Sequence, residues 1–526
     1  MVRNPALAAN SGMSLFFAND NSRYFHKASL TGFAFFICKI KRLTLQAFNC
    51  NLYSEHKPIA LLQLMNDSTA LTDISYTEKR DSLRAQMERI PFFVDYDSFA
   101  KKITLRNADH IPPELFKFSD DIEILDASNG TISSLPSTFP LLRKVRVVLL
   151  SNHHFTEVPR VLSLCPKLTV VAFKSCKITH FSEHSLPSSV RWLILTGNQL
   201  ETLPSFLGTL PLQKVALVGN HLRTLPSEMR RCFNLELIRI GANNFNEPPS
   251  WLFSLPRLKW YGDAGNPFNR GWGKEEETVP EIHWSTIDID SSRPIGGSPS
   301  STVFRGTLDD KRNVAVKIFE NEIVTSDGYP ESDMRATLTA GRHPNIVFLL
   351  GKLVGAPQNK KGLVTDLVPA SYQDLALPPN FDTITGDVFP KETRFPFVVA
   401  HKILCGVAEA HSHLHKRNLA NGDLYAHNVK SKLARVDVPC EDNYPPGHSI
   451  LLDFGAASFY QPGDVRYETL DVRAYGHFMA NILVRTDVSQ HEESYFTLTL
   501  LKKFCLSADV GGPTFEQVCD ILPSCC

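Results

Sequence analysis

The sequence predicts an α/β repeat solenoid followed by a second domain of α+β type. Two observations carry this prediction. Between Ile122 and Phe268 one short pattern returns seven times at a nearly fixed interval. From about Ser285 the interval is lost, and strands punctuated by glycine give way to patterns of helical period. A chain of 526 residues suits two to four domains, and 43% hydrophobic against 21% charged residues is enough for globular cores.

The repeat comes first. "IEILDASNGTI", "VRVVLLSNHHF", "LTVVAFKSCKI", "VRWLILTGNQL", "LQKVALVGNHL", "LELIRIGANNF" and "LKWYGDAGNPF" begin at Ile122, Val145, Leu168, Val190, Leu212, Leu235 and Leu258, with offsets of 23, 23, 22, 22, 23 and 23. Each fits L-x-x-L-x-L-x-x-N-x-L. The ninth position holds Asn198, Asn220, Asn243 and Asn266, with Cys176 in the same role and Gly130 and His153 as weaker matches. The x-L-x-L stretch predicts a short strand with its leucines inward. The Asn side chain can bond backbone groups in the turn that follows. A proline then recurs in "SLPS", "EVPR", "TLPS" and "EPPS". One such unit cannot bury its own apolar face, so neighbours must stack. Residues 99–270 therefore resemble a leucine-rich-repeat solenoid, which implies a curved body and a protein ligand on its concave face. Arg191, Ile194, Lys214, Ala216, Glu236 and Arg239 occupy outward strand positions. Their charges are mixed, and solvation rather than contact is expected of each.

The flanks are less informative. Residues 1–98 show no sustained periodicity, although "TEKRDSLRAQMERI" (77–90) has the character of a helix. Residues 271–288 read as a polar linker too short for a membrane span. No apolar run reaches the ~18 residues that a spanning helix needs; "LTGFAFFIC" (30–38) is too short, and too far along for a signal peptide. Lys+Arg and Asp+Glu both number 55, which argues against nucleic-acid binding. The 11 cysteines are scattered without C-x-x-C, which predicts a reducing, cytoplasmic setting. Cys525-Cys526 lacks a C-a-a-X pattern and reads as an exposed tail.

In the second half, "IGGSPSSTVFRG" (295–306) is followed by "NVAVKIF", with Lys317 eleven residues after Gly306. Alternation of Val314, Val316 and Ile318 predicts a strand with one buried face, which turns Ala315 and Lys317 the other way. "YPESDMRATLTAGRHPNIVFLLG" predicts a helix and a strand, and "GLVTDLVPA" another strand. Val398, Ile403, Leu404, Val407 and Leu414 recur at roughly helical spacing before "NGDLYAHN". His411 and His415 lie four apart there, without a third metal ligand in view. "SILLDFGAASF" places Asp453-Phe454-Gly455 25 residues after Asn428, behind an apolar strand.

Taken in order, these segments resemble a two-lobed α+β protein kinase domain over residues 289–526. The loop is similar to the HGDLYAHN form found in kinases that carry leucine-rich repeats without a membrane span. The resemblance implies ATP and Mg²⁺ as cofactors and a protein substrate. It implies that Lys317 and Asp423 serve catalysis, with Lys317 also on the α- and β-phosphates, Asp423 orienting the acceptor hydroxyl, and Asn428 and Asp453 holding metal. Ile295, Gly296, Val303, Ala315, Thr365 as gatekeeper, and the backbone of Asp366 and Val368 would enclose the nucleotide. An acid on the helix should pair with Lys317. Glu331, Asp333 and Met334 all stand near the place, and Asp333 is favoured.

Several positions depart from the family pattern. Ser298 and Ser301 replace two glycines, and Asn421-Gly422 replaces His-Arg before Asp423. Tyr425 stands where a cation would neutralise the transferring phosphoryl group, and Lys430 where an apolar residue lies under adenine. The activation segment is short, A-P-E is absent, and "GPTF" lacks the Arg that would pair with it, so both partners are missing together. Asp471 and Gly476 fit the helix that follows. The expectation is an active Ser/Thr kinase, with Tyr left open, regulated without activation-loop phosphorylation. The alternative is a pseudokinase scaffold. A GTPase is excluded by the lack of G-x-x-x-x-G-K-[ST].

Overall fold

The computed structural model describes residues 82–269, 279–298, 301–309, 311–319, 324–433, 444–509 and 512–522. The "LTGFAFFIC" run, most of the linker, the Ser298 side chain and Cys525-Cys526 lie outside them, as does the start of the 77–90 helix pattern, of which residues 82–87 are helical.

The repeats form one nine-stranded sheet in chain order. β1 (Phe93–Asp97) and β2 (Lys102–Leu105) are antiparallel and open the sheet. The sheet thus starts before the first repeat. The others run parallel: β3 (Ile124–Asp126), β4 (Val147–Leu149), β5 (Val170–Ala172), β6 (Trp192–Ile194), β7 (Lys214–Ala216), β8 (Leu237–Arg239) and β9 (Trp260–Gly262). The recurring prolines begin the convex 3-10 turns: Pro159, Pro204, Pro226 and Pro249 stand just before Arg160–Leu164, Ser205–Thr209, Ser227–Arg231 and Ser250–Ser254. A ring-locked φ suits such a start, and no N–H is lost where none is needed.

The asparagines form a buried ladder. Asn198 donates to Phe173 O and Leu195 O at 2.7 and 2.9 Å and accepts from Ile178 N at 2.9 Å. Asn220 repeats this with Leu195 O, Leu217 O and Leu200 N. His153 does the same work two strands before Asn198, with Nδ1 accepting from Ile132 N and Nε2 bonding Ala127 O. The weak sequence match is therefore a functional equivalent.

The second half divides into a strand-rich and a helix-rich part. The six-stranded sheet has the order β10 (Glu281–His283), β14 (Leu349–Val354), β15 (Gly362–Asp366), β13 (Arg312–Phe319), β12 (Ser301–Leu308), β11 (Ile287–Ser298). Helix α1 (Pro330–Ala340) follows β13. The helix-rich part holds α2 (Phe397–His415), α3 (Val465–Leu483), α4 (Glu492–Leu506) and α5 (Phe515–Ile521). On α2, Ile403, Leu404, Val407 and Leu414 are buried, whereas Val398 is exposed. His411 bonds Val407 O and His415 bonds Asp471, so each has a separate partner within the fold. Short strands complete this part: β16 (Tyr372–Asp374), β19 (Val429–Lys432) and β20 (Ser449–Leu451) form one sheet, and β17 (Phe395–Pro396) with β22 (Thr486–Asp487) and β18 (Leu419–Ala420) with β21 (Ser458–Phe459) form pairs.

The two halves share a core. The hydrophobic cluster of the solenoid continues into Ala420, Tyr460, Tyr467 and Leu470 of the second half. Tyr467 packs against Phe253 and Tyr261, ring centroids 5.1 and 5.7 Å apart. Burying each ring contributes roughly 4 kcal/mol of transfer free energy at ~25 cal/mol per Å². The segment 376–394 crosses the concave face: Phe381 packs on Trp192 at 5.8 Å, Asp382 pairs with Arg146 at 2.9 Å, and Thr385 donates to Glu236 at 2.7 Å. The concave face is therefore held, over these strands, by the chain itself. That corrects one expectation, solvation at Arg239, which is 2% exposed.

Candidate functional site

Lys317 sits on β13, where burial of Val314, Val316 and Ile318 turns it to the opposite face. Its Nζ donates to Asp333 Oδ2 at 2.5 Å and lies 3.7 Å from Asp453 Oδ1. Burial opposes the ammonium charge, but Asp453 and Asp333 outweigh it and raise the lysine pKa. Burial pushes the Asp333 carboxyl up while Lys317 pulls it back, and Lys317 holds the Asp453 carboxyl low. α1 begins at Pro330, so Asp333 falls in its first turn, where a carboxylate suits the helix dipole. Glu331 pairs with Lys361 instead.

The remaining strand residues lie in register across the sheet. Gly296 pairs with Val303, Val303 with Lys317, and Ala315 with Thr365. Ile295 is exposed, and a Cβ on Gly296 would meet nothing within 4 Å, so the hairpin leaves room beside it. The Asp366 N–H is already given to Phe348 O at 2.9 Å, and its carboxylate is paired with Arg312. Val368 lines a cavity of about 560 Å³ with Phe348, Tyr372 and Tyr444, and Lys317, Asp423 and Asp453 are not among its walls. Lys430 pairs with Asp374 at 2.6 Å.

The "NGDLYAHN" loop runs from β18 to β19. Asp471 on α3 accepts from the N–H groups of Asn421 and Gly422 at 2.8 and 2.9 Å and from His415 at 2.9 Å, which fixes the loop's entry. Asn421 donates to Asp453 O at 3.2 Å and so ties this loop to the D-F-G segment. Asn428 donates to Asp423 Oδ2 at 2.8 Å and to Asp423 O at 3.0 Å, which turns its amide oxygen away from Asp423. A carboxylate on Asp453 and an amide oxygen on Asn428 are the hard donors that Mg²⁺ prefers, and the raised Lys317 suits a phosphate. The residues present fit both groups.

Arg239, Asp327, Trp260 and Asp387 were not foreseen as parts of this site. Arg239, from β8 of the solenoid, donates from Nη2 to Asp423 Oδ1, from Nη1 to Gly422 O at 3.0 Å and from Nε to Asp327 at 3.0 Å. Trp260 from β9 stacks on Tyr425 at 4.2 Å and donates to Leu424 O at 2.9 Å. Asp387 accepts from Ala426 N at 2.8 Å and pairs with His427 at 2.7 Å. Arg239 and Asp423 are 184 residues apart in sequence, and no local pattern links them. Burial pushes the Asp423 carboxyl up and Arg239 acts against it, while Asp423 and Asp327 keep the buried guanidinium charged.

No family model matches the chain. Among curated proteins it is similar to an L-type lectin-domain containing receptor kinase of Oryza sativa subsp. japonica, 28% identical over 41% of this chain and 28% of the relative. It is also similar to a cysteine-rich receptor-like protein kinase of Arabidopsis thaliana, 25% identical over 40% of this chain and 29% of the relative. A putative serine/threonine-protein kinase of Helianthus annuus is 24% identical over 41% of this chain and 81% of its own length. The chain thus spans under a third of the first two relatives. Among solved structures, an LRR protein of Leptospira interrogans aligns with a TM-score of 0.29 and 24% identity, over 30% of this chain and 41% of that one. The relatives support a kinase-like protein, and the repeat sheet is seen directly in the fold. No helix among the described residues is long and apolar enough to cross a membrane.

Proposed function

We propose that the chain is a protein kinase that transfers the γ-phosphate of ATP to Ser or Thr hydroxyls of proteins, in preference to Tyr. The observation that carries this reading is the convergence of Lys317, Asp333 and Asp453 with the Asp423–Asn428 pair. The kinase names of the relatives favour it. Lys317, held by Asp333, grips the α- and β-phosphates. Asp453 and Asn428 hold Mg²⁺, which neutralises charge on the phosphates when bound. Asp423 orients the acceptor hydroxyl and takes its proton. Ile295, Gly296, Val303, Ala315 and Thr365 enclose the nucleotide, with the backbone at Val368 facing adenine. The solenoid's part in partner choice falls to surfaces that the chain does not itself cover, in a cytoplasmic setting.

The test is transfer of label from γ-labelled ATP with Mg²⁺ to a generic acceptor protein, beside an Asp423→Asn control. Incorporation by the wild type alone supports the reading. A protein that binds no ATP rules it out. One observation favours a second reading, a scaffold without turnover: both carboxylate oxygens of Asp423 are engaged, by Arg239 and by Asn428. That reading expects ATP binding with no transfer to any acceptor.

A further inference from the structure

We propose that Arg239 of the solenoid is a positioning residue of the phosphotransfer site, supplying in cis the cation that the loop lacks at Tyr425. This rests on the kinase reading above. Its basis is the way the departures of the loop fit the solenoid. Gly422 has φ +67°, and a Cβ there would lie 2.3 Å from Tyr261 O of β9 and 2.9 Å from Ala456 O. An Arg or any other side chain at 422 would therefore push the solenoid away. Tyr425 does not face the reacting centre as a lysine would; its ring lies flat on Trp260 at an interplanar angle of 11°. Both replacements open the loop to the solenoid, and the solenoid returns one guanidinium to it.

That guanidinium is placed between the two acidic segments of the site. Nη2 meets Asp423, and Nε meets Asp327. Asp327 in turn packs at Gly455 of the D-F-G segment, where a Cβ would lie 3.8 Å from the Asp327 Cβ and 3.4 Å from Asp453 Oδ1. Lys214 on the adjacent strand lies over Trp192 at 4.3 Å, and the charge of Asp423 is felt there too. The geometry is that of a fixed cation beside the acceptor-orienting carboxylate, holding it in one rotamer. The docking is also built in rather than incidental. Arg473 on α3 is buried and donates to Leu255 O and Leu258 O of the solenoid at 2.8 and 3.2 Å. Tyr460 and Tyr467 share the solenoid core. A detachable cover would leave these groups stranded, so the solenoid is read here as a wall of the site.

The experiment compares wild type with Arg239→Ala and Arg239→Lys in the full chain, with melting curves, ATP KM and kcat. The expected result is a loss in kcat for Arg239→Ala on the order of 10²-fold with ATP KM within about threefold. Added millimolar ethylguanidinium should restore part of it, which a merely structural role would not allow. Should Arg239→Ala fail to fold, Arg239→Lys carries the test, with a lowered kcat at unchanged ATP KM expected. An alanine variant as active as the wild type or more so overturns the proposal and makes the arginine a block on the site. A folded alanine variant with no rescue, or a lysine variant with wild-type kcat where alanine does not fold, also overturns it. A wild type without turnover removes the kinase reading first, and this proposal with it; turnover indifferent to Arg239 removes only this proposal.

Discussion

At the scale of single residues, two departures that look like decay read as fitting. Gly422 occupies the left-handed region with solenoid backbone 2.3 Å from where its Cβ would stand. Gly422→Ala should therefore cost about 2–4 kcal/mol, from backbone strain plus a clash with a carbonyl that cannot swing aside. Denaturant unfolding measures it, and a loss below about 0.5 kcal/mol would mean that the loop and β9 separate freely. Tyr425 makes a sharper case. Introducing the cation that the kinase resemblance expects, with Tyr425→Lys, would place an ammonium in a buried site beside Arg239 and remove the ring on Trp260. The expected outcome is a loss of about 2–4 kcal/mol and lower, not higher, transfer activity. A stable variant with faster turnover would show Tyr425 to be a defect after all.

At the scale of elements, what was legible followed from local physics. The repeat could be read because strand, Asn turn and Pro-led 3-10 turn all recur within one interval. The ladder that it builds predicts a position-specific cost. Asn220→Ala leaves Leu200 N without its partner inside the core and takes one of two side-chain donors from each of Leu195 O and Leu217 O, which Asn198 and Asn243 still reach. It should destabilise by about 2–4 kcal/mol, against a few tenths for exposed Asn234→Ala, read from the shift in urea midpoint at constant slope. Strand β13 was legible for the same reason, since its period of two needs no partner to be seen. The sequence favours Asp333 as the Lys317 partner over Glu331 and Met334 but does not by itself fix the helix phase. Pro330 marks the helix start, but Glu331 and Asp333 both fall in the first turn, and it is the packing of the helix against β13 that selects Asp333. The segment 376–394 could not be placed, because its contacts are made to strands far upstream, as Thr385 to Glu236 is across 149 positions. Arg239 was invisible for that reason too: its outward strand position is ordinary, and only the docking of the second half makes it buried.

At the scale of the whole molecule, the junction of the halves carries a titrating group. Asp263 follows β9 and is fully buried. Its carboxylate accepts from Tyr467 at 2.6 Å and from Asn269 at 3.0 Å, and its N–H donates to Ser458 at 3.2 Å. Burial pushes the carboxyl up to about 6, although the Tyr467 hydroxyl acts the other way. The folded-state pKa thus lies above the unfolded value of about 3.8, so folding favours the protonated form. The sign follows: this group's contribution to stability is full below about pH 3.8 and is lost as the pH rises through about 6. Asp263→Asn removes the titration while keeping the size. Asn accepts at only one end, so the substitution carries a constant cost from one lost bond. The slope is the informative quantity. Between pH 5 and pH 8 the stability of Asp263→Asn relative to wild type should rise on the order of 1–3 kcal/mol, measured by urea unfolding at each pH. A difference that stays flat would mean that Asp263 remains ionised throughout, and hence that water reaches the junction. A rise of the stated sign would mean that the two halves are joined through a dry, shared core, which is the condition under which a solenoid arginine can serve as a fixed part of the proposed phosphotransfer site.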